Sequence, residues 1–462
     1  MALVATFLCV AAIAALFALD RDRQARTSPA LWIPTLWLLI NGSRGVSQWL
    51  QRPSAVSLQQ QYTEGNPLDA AVFGILILAG IVVLNFRRRR LRELLQQNLP
   101  ILLFFAYAGL SILWSAYSFI ALKRWSKAMG DLVMVLVVLT DPQPLNAVKR
   151  FFARATFILL PLSVLLIEFY PGLGSMYDPT DQTMIYTGVT TFKNLLGMIT
   201  MVCGLAALWR FLEANEDRSM WHRRRHLLAH GAMIATAVWL LVKCNSMTSL
   251  SCFGLAGAVM VMATRGWVKR RPGRVHLLVG TAIAIPLFAL FVDTVGTLLH
   301  ALGRNPTLTD RTSIWRAVLA MHTNPLVGTG FESFWLGSHL QSVWDLSVRG
   351  IQEAHNGYLE VYINLGWIGE LLLLALIFTG YRHILSALRL DPDWGRLRLA
   401  YFTATLIYCL TEAGFRMMNP IWIAFLLVIM STASRGQMKL QRIMAPLPAM
   451  QKPTREAQKV LQ

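Results

Sequence analysis

The chain has 462 residues, of which 55% are hydrophobic and 15% are charged, and its formal net charge is +19. This composition is typical of a polytopic membrane protein. The positive charge lies in short clusters between apolar runs, as the positive-inside rule predicts, so it does not indicate a nucleic-acid-binding protein. The five cysteines lie in or beside apolar runs without metal-ligand spacing, which argues against a disulfide framework.

Apolar runs long enough to cross a bilayer recur along the chain, and only helices satisfy their backbone groups in lipid. The first run is expected to be a retained helix rather than a cleaved signal. The sequence therefore predicts an all-α polytopic membrane protein with about 12 or 13 transmembrane helices and a large helical loop on the outer side, which the family resemblance given below makes a periplasmic loop. The predicted spans are 2–19, 29–48, 69–86, 99–118, the short run 127–141, 151–170, 191–212, 227–243, 249–264, 276–297, 357–380, 399–414 and 419–433.

The basic clusters fix one orientation of these spans. When the cluster Arg87–Arg92 is placed in the cytoplasm, the other clusters fall on the same side. These are Arg21–Arg26, His222–Arg225, Arg265–Arg274, Arg382–Arg398 and the tail from Arg435. The predicted units are an N-terminal transmembrane bundle (1–297), a periplasmic loop (298–356), C-terminal transmembrane helices (357–433) and a basic cytoplasmic tail (434–462).

The long periplasmic loop holds the most polar motifs of the chain. A helix is expected to begin near Arg311, with Thr309 or Asp310 as its cap. The stretch "NPLVGTGFESFW" predicts a turn in which glycines permit a tight backbone, followed by aromatic anchors such as Trp335 that suit a membrane interface. The loop ends at His355, at the mouth of an apolar helix.

Arg311 and His355 are therefore predicted to reach the same outer surface. A guanidinium group matches phosphate oxygens in a bidentate manner, and histidine is the usual proton acceptor near neutral pH. Such a combination, without a cluster of metal ligands, suits group transfer on a phosphate-linked substrate. Other readings remain open: His355 as a helix-cap or packing residue, and Arg311 as a surface arginine.

Several motifs together resemble one family. "GRNPTLTDRTSIW", "NPLVGTGFESFW" and "EAHNGYLEVYINLGWIGELLL" resemble the signature of the O-antigen ligase and polysaccharide polymerase superfamily, closest to exopolysaccharide polymerases of the succinoglycan type. "YTGVTTFKNLLG" and "NSMTSL" resemble further periplasmic elements of that family. The resemblance covers roughly residues 100–435.

The resemblance implies a multi-pass glycosyltransferase of the bacterial inner membrane, with its active site facing the periplasm. It would polymerise oligosaccharide repeat units carried on undecaprenyl pyrophosphate into exopolysaccharide, without a metal or a cofactor. In such a reaction His355 would be the catalytic residue, with a base role, and Arg311 would hold the pyrophosphate. The expected partners are the lipid-linked oligosaccharide, membrane lipid, and chain-length regulator and export proteins, and no nucleic acid.

Further substrate-binding residues are predicted with less support from the motifs. The family usually carries an arginine where this chain has Thr187, so Lys193 is expected to supply a cation, and Asn194 beside it is a further substrate-binding candidate. Lys123, Arg124 and Lys127 break the positive-inside trend, and they either line the pyrophosphate site or lie in the cytoplasm. The remaining candidates are Arg304, Glu332 and Asn356. Glu332 is expected to be either a second acid or a salt-bridge partner, and Asn356 either a helix cap or an orienting residue.

Two rival functions remain at this point. The first is an O-antigen ligase, which would transfer the same lipid-linked glycan to a lipid A core. The second belongs to another class, a flippase or transporter of the lipid-linked glycan. A transporter should carry charged residues deep in its spans, whereas the ionisable groups here cluster at the outer ends of helices, where Glu412 and Arg416 are expected to pair with each other.

Overall fold

The computed structural model describes residues 1–22, 25–50, 65–177, 182–217, 219–266, 268, 271, 273–291, 308–346 and 351–431. Within these residues the chain is almost entirely helical, with one two-stranded antiparallel hairpin that pairs Ser175–Tyr177 with Met184–Tyr186. The prediction of an all-α polytopic membrane protein is confirmed. The division into four units stays a prediction, and the basic tail lies outside the described residues.

The helices are numbered in chain order. They are α1 Ala2–Leu19, α2 Trp32–Asn41, α3 Val46–Trp49, α4 Pro67–Phe86, α5 Arg88–Gln97, α6 Leu99–Leu110, α7 Ser118–Leu139, α8 Pro144–Phe169, α9 Pro171–Gly174, α10 Lys193–Glu216, α11 Met220–Lys243, α12 Met247–Ala263, α13 Arg274–Phe291, α14 Leu308–Leu319, α15 Gly337–Leu346, α16 Gly357–Leu390, α17 Pro392–Tyr408 and α18 Pro420–Ile429. Short 3₁₀ turns at Pro29–Leu31 and Ser111–Trp114 precede α2 and follow α6.

Several of these helices begin where a local cap signal stands in the sequence. In α4, α17 and α18 an Asn or Asp precedes a proline, and the side chain of that residue accepts a hydrogen bond from the backbone of the first turn. A proline at the first helical position costs nothing, because its missing N–H would be unpaired there anyway. Local chemistry therefore sets these helix starts.

The number of membrane crossings stays a prediction. Among the described residues, six helices are long and apolar enough to cross a membrane, or seven if α5 and the segment Leu99–Trp114, bent by 90°, form one span. Four other predicted spans correspond to shorter apolar helices. These are Pro29–Asn41, Met247–Ala263, Arg274–Phe288 and Pro420–Ile429.

The helices run alternately between two ends of the bundle. At the first end, Asn194 at the start of α10 contacts Glu412, and Thr248 at the start of α12 contacts Thr411. At the second end, Arg210 near the end of α10 contacts Asp20, and Arg90 contacts Thr140. We call these the site end and the arginine-rich end. The basic clusters Arg87–Arg92 and His222–Arg225 lie at the arginine-rich end.

One predicted loop is a helix in the structure. The sequence placed residues 119–126 outside the membrane and began the next span at 127, whereas α7 begins at Ser118. Lys123 and Arg124 therefore lie in the first turns of a helix at the site end. The guanidinium of Arg124 donates a hydrogen bond to the carbonyl oxygen of Glu332, so this group lies beside the loop segment that contains Glu332.

A break in α16 anchors the long loop. Gly366 has φ +64°, which only glycine adopts without strain, and the helix is interrupted there. The freed N–H groups of Trp367 and Ile368 donate to the carbonyl oxygens of Pro325 and Leu326, at 2.9 and 3.1 Å. Because unpaired backbone groups are costly in a membrane protein, this pairing fixes the loop segment beside the helix.

The same loop turns tightly, as predicted. Gly328 and Gly330 both have positive φ, at +65° and +98°. A Cβ at Gly328 would lie 2.5 Å from the backbone of Asn364, so the turn needs glycine for close approach as well as for conformation. The residues that follow, up to Trp335, therefore pack against the first turns of α16.

Candidate active site

Four separate segments meet around the carboxylate of Glu412. Arg311 on α14 donates from Nη2 to Glu412 Oε1 at 2.7 Å, and Nδ1 of His355 lies 3.2 Å from Oε2. Asn194 on α10 donates from Nδ2 to Oε1 at 3.3 Å. The Glu412 side chain is only 6% exposed, so one buried carboxylate holds three of the predicted site residues together.

His355 contacts a second carboxylate. Its Nδ1 lies 3.0 Å from Oε1 of Glu353. Because Nδ1 faces both carboxylates, it carries the proton, and Nε2 is the ring atom left for other partners. Nε2 makes no hydrogen bond with any residue that the structure describes.

The backbone around His355 is fixed on both sides. His355 has φ +47°, an uncommon conformation for a residue other than glycine. Immediately before it, the N–H of Ala354 donates to Glu360 and its carbonyl oxygen accepts from Trp315 Nε1, both within 2.7 Å. After it, Asn356 caps α16: its Oδ1 accepts from the N–H groups of Tyr358 and Leu359 at 3.0 and 3.1 Å.

A chain of alternating charges extends from this centre. Arg416 contacts Glu353 at 3.2 Å and Glu332 at 3.0 Å. We define the ion-pair chain as Glu332, Arg416, Glu353, His355, Glu412 and Arg311, in the order of contact. Three cationic groups alternate with three carboxylates, so each charge at this half-buried surface has an opposite neighbour.

Two predicted contacts in this region are wrong. Glu412 and Arg416 do not pair with each other, because α17 ends at Tyr408 and the following turn directs the two side chains to different partners. Trp335 is not an interface anchor: it is 4% exposed, and its Nε1 donates to both oxygens of Glu360 at 3.0 Å. The alternative reading of Glu332 as a salt-bridge partner is confirmed by its contact with Arg416.

The remaining predicted residues lie at different distances from this centre. Lys193 begins α10 beside Asn194 and forms no ion pair with a described residue. Lys123 lies over the ring of Phe119, with Nζ 4.5 Å from the ring centroid. Arg304 lies outside the described residues. The helix expected near Arg311 begins at Leu308, so the predicted caps Thr309 and Asp310 lie within it.

The sequence analysis gave no role to Glu353, and it paired Arg416 with Glu412 where the structure pairs it with Glu332 and Glu353. Glu353 stands two residues before His355, inside the motif quoted for the family, and that spacing was an available signal. Arg416 lies in the turn before α18, 84 residues from Glu332, so no local pattern indicates that pairing.

The carboxylates set the charge state of the histidine. Burial by itself would lower the pKa of His355, but the hydrogen bonds and charges of Glu353 and Glu412 outweigh it and raise the pKa to about 10. The pKa of Glu353 is lowered, because the hydrogen bond and charge of His355 and the charge of Arg416 outweigh its burial. His355 is therefore an imidazolium at neutral pH in this arrangement.

The stability of the protein should depend on pH through His355. A histidine whose pKa is raised on folding stabilises the protein fully below its unfolded pKa of about 6.5, and that contribution disappears as the pH rises to about 10. We expect the wild type to lose several kcal/mol of its unfolding free energy relative to His355→Gln as the pH rises from 6.5 to 10, because the folded and unfolded pKa values differ by about 3.5. Thermal unfolding of both purified proteins across this range measures the difference. An equal pH dependence in the two proteins would contradict the assignment.

The same residues satisfy the distances of a possible metal site. One ligand atom from each of Glu353, His355 and Glu412 lies within 4.8 Å of the others. Both carboxylates already contact an arginine, Arg416 in one case and Arg311 in the other. A cation at this point would have to compete with two guanidinium groups.

Comparisons with known proteins agree with the resemblance seen in the motifs. Residues 232–374 match the family described as O-Antigen ligase, a stretch that includes Arg311 and His355. The chain is 26% identical over 307 residues to the exopolysaccharide production protein ExoQ of Rhizobium meliloti (strain 1021). The aligned region covers 63% of this chain and 66% of that protein. The resemblance to the O-antigen ligase and polysaccharide polymerase superfamily, near the ExoQ type, is confirmed.

Proposed function

We propose that this chain is a membrane glycosyltransferase that joins lipid-linked oligosaccharide repeat units into exopolysaccharide. The observation that carries the proposal is the convergence of Arg311 and His355 on Glu412, inside the stretch that matches the O-Antigen ligase family. The name of the relative, an exopolysaccharide production protein, supports the class of product.

The proposed donor is a glycan on undecaprenyl pyrophosphate, and the proposed acceptor is a hydroxyl group of a second lipid-linked repeat unit. The acceptor oxygen forms a bond to the anomeric carbon as the bond to the pyrophosphate oxygen breaks, with inversion. The proton of the acceptor hydroxyl passes to the departing pyrophosphate or to water, and the bonding electron pair of the broken bond leaves with the pyrophosphate oxygen. Fixed cations near that anion stabilise the charge that develops in the transition state.

Arg311 and the imidazolium of His355 are suited to that role. The N-terminus of α10, with Lys193 and Asn194, adds the positive end of a helix dipole at the same place. A general base must be unprotonated when it acts, and the raised pKa of His355 opposes this. We therefore propose that His355 stabilises the leaving pyrophosphate, in place of the base role that the family resemblance implies.

We propose that the site end faces the periplasm of the inner membrane. The basic clusters at the opposite end support this orientation, because positively charged segments are retained in the cytoplasm. Chain-length regulator and export proteins are proposed as partners, since the polymer must leave the periplasm.

The test is complementation of a deletion strain with the wild type and His355→Ala at matched membrane abundance. We expect His355→Ala to reduce high-mass polymer by at least about 10²-fold, the usual loss when one electrostatic catalytic group is removed. Single lipid-linked repeat units should accumulate on the outer leaflet. His322→Ala, which removes an exposed histidine of the same loop, is the matched control and should behave as the wild type.

Other outcomes identify the rival functions. Repeat units that remain on the cytoplasmic leaflet would indicate a transporter. Normal polymerisation with loss of attachment to an acceptor lipid would indicate a ligase. Normal polymer from His355→Ala would show that His355 is not catalytic.

A further inference from the structure

A second polar cluster lies at the arginine-rich end, far from the candidate active site. Asp20 follows the last residue of α1, and His226 and His230 lie one turn apart on α11. The cluster contacts α10 at Arg210, 16 residues after Asn194, so it lies about 24 Å from the Asn194 contact along the helix axis. The proposed glycosyl transfer does not use it.

The contacts within this cluster concentrate on one oxygen. Nδ1 of His226 and Nε2 of His230 each lie 2.9 Å from Asp20 Oδ1, and Arg210 Nη2 lies 3.1 Å from the same atom. Three nitrogens around one carboxylate oxygen exceed its two lone pairs, while Oδ2 accepts no hydrogen bond from a described residue. Hydrogen bonding therefore explains this arrangement poorly.

The two imidazoles are oriented as a pair. Their rings are nearly parallel, with an angle of 5° and a centroid distance of 6.1 Å. Histidines at positions i and i+4 project from one face of a helix, a spacing that places two ring nitrogens on one ion. His230 is 1% exposed, so its ring is held in this direction by the surrounding helices.

The distances suit a small divalent ion. A tetrahedral zinc ion with bonds of about 2.0–2.2 Å holds its ligand atoms roughly 3.3 Å apart. The three ligand atoms of this cluster all lie within 4.8 Å of one another, and two of the separations are 2.9 Å. Each of the two 2.9 Å separations would lengthen by about 0.4 Å around such an ion.

The surroundings favour a cation as well. Asp20 caps the C-terminus of α1, the negative end of the helix dipole, where cations are stabilised. Asp20 and His226 also line a cavity of about 1220 Å³ at this end of the bundle. The ion would therefore have three protein ligands and one position open to the cavity.

Arg210 fits as an outer partner of such a site. Its guanidinium also pairs with Glu213, which in turn pairs with Lys149. The charge of Arg210 is therefore shared between two carboxylates, and its contact orients Asp20 in the manner of an outer-shell residue.

We infer that Asp20, His226 and His230 form a binding site for a transition-metal ion of the zinc type. The ion would join the end of α1 to α11. Only two residues of the 18-residue helix α1 are buried, so a metal bridge would add a strong attachment at its end.

Binding of Co²⁺ to the full-length protein in detergent tests this inference. The protein, purified through a tag without histidines and stripped with a chelator, is titrated with Co²⁺, which reports tetrahedral coordination through its visible absorption. Zn²⁺ should then displace the cobalt, and elemental analysis should give one ion per chain. Failure of the wild type to retain a stoichiometric ion would overturn the inference.

Variants locate the site. Loss of an outer-shell partner usually reduces metal affinity by about 10–100-fold, so loss of the ligand in His226→Gln should cost more than about 100-fold. His222→Gln, one turn earlier on α11 and lining the same cavity, is the matched control and should bind as the wild type. Unchanged affinity in His226→Gln would place any bound ion elsewhere and would refute the assignment. Gel filtration of both variants checks that they remain folded.

Discussion

Replacing Glu412 with glutamine should reduce polymer formation by about 10²–10³-fold, the range expected when one preorganised electrostatic partner is removed from an active site. Glu412 holds Arg311 through Oε1 and His355 through Oε2. Its amide analogue keeps the size of the side chain but removes the charge that both cations face. Both site residues would then lose their fixed positions. Polymer yield at matched membrane abundance measures the effect.

A control separates this effect from a general loss of acidic charge. Glu168 lies at the site end, with its side chain 43% exposed and 3.7 Å from Lys243, and Glu168→Gln should leave activity unchanged. Glu412→Asp keeps the charge but shortens the side chain, so it should retain more activity than Glu412→Gln. Equal activity of Glu412→Gln and the wild type would show that this carboxylate does not position the site.

Replacing Arg416 with alanine should lower the free energy of unfolding by about 3–5 kcal/mol, the usual cost of removing one partner of a buried ion pair. Arg416 contacts both Glu332 and Glu353. Its loss leaves two carboxylates close together without their cation. Unfolding of the purified protein in detergent, followed by heat or denaturant, measures the change.

The pH dependence of that loss provides an internal check. The pKa of Glu353 is lowered in the folded wild type, so its stabilising contribution is present above about pH 4.5 and is lost as the pH falls. The difference between wild type and Arg416→Ala should therefore shrink in acid. Arg389→Ala, which removes an exposed arginine of α16, is the control and should change stability little. A destabilisation independent of pH would indicate lost packing in place of lost charge pairing.

The helices were largely predictable because their signals are local. Apolar length sets a transmembrane helix, and caps such as Asn356, Asp391 and Asn419 set helix starts, so the predicted spans overlap helices in the structure. The boundaries agree less well, because α8 and α11 begin seven residues before the predicted spans and α16 ends ten residues after its span. The misplaced boundary at α7 has a physical explanation. Lys123, Arg124 and Lys127 lowered the apparent hydropathy of its first turns, although the helix continues through them.

Two residues of the candidate site were also singled out by the sequence. His355 and Arg311 were selected from residue chemistry and family resemblance, and the structure places both on Glu412. The residues that these two side chains contact could not be predicted from the sequence. Arg311 and Glu412 are separated by 101 positions, and Asn194 and Glu412 by 218, so only the packing of α10, α14 and the turn after α17 brings them together.

The sequence alone determined that this protein is a helical membrane protein, because hydropathy and capping depend on neighbouring residues. The tertiary structure decided which charges pair. Glu412 and Arg416 are four residues apart and would face each other on a helix, but the chain turns between them. Glu353 and Glu412 keep His355 protonated. Glu412 reaches His355 only through the tertiary packing, so no local sequence pattern predicts this charge state.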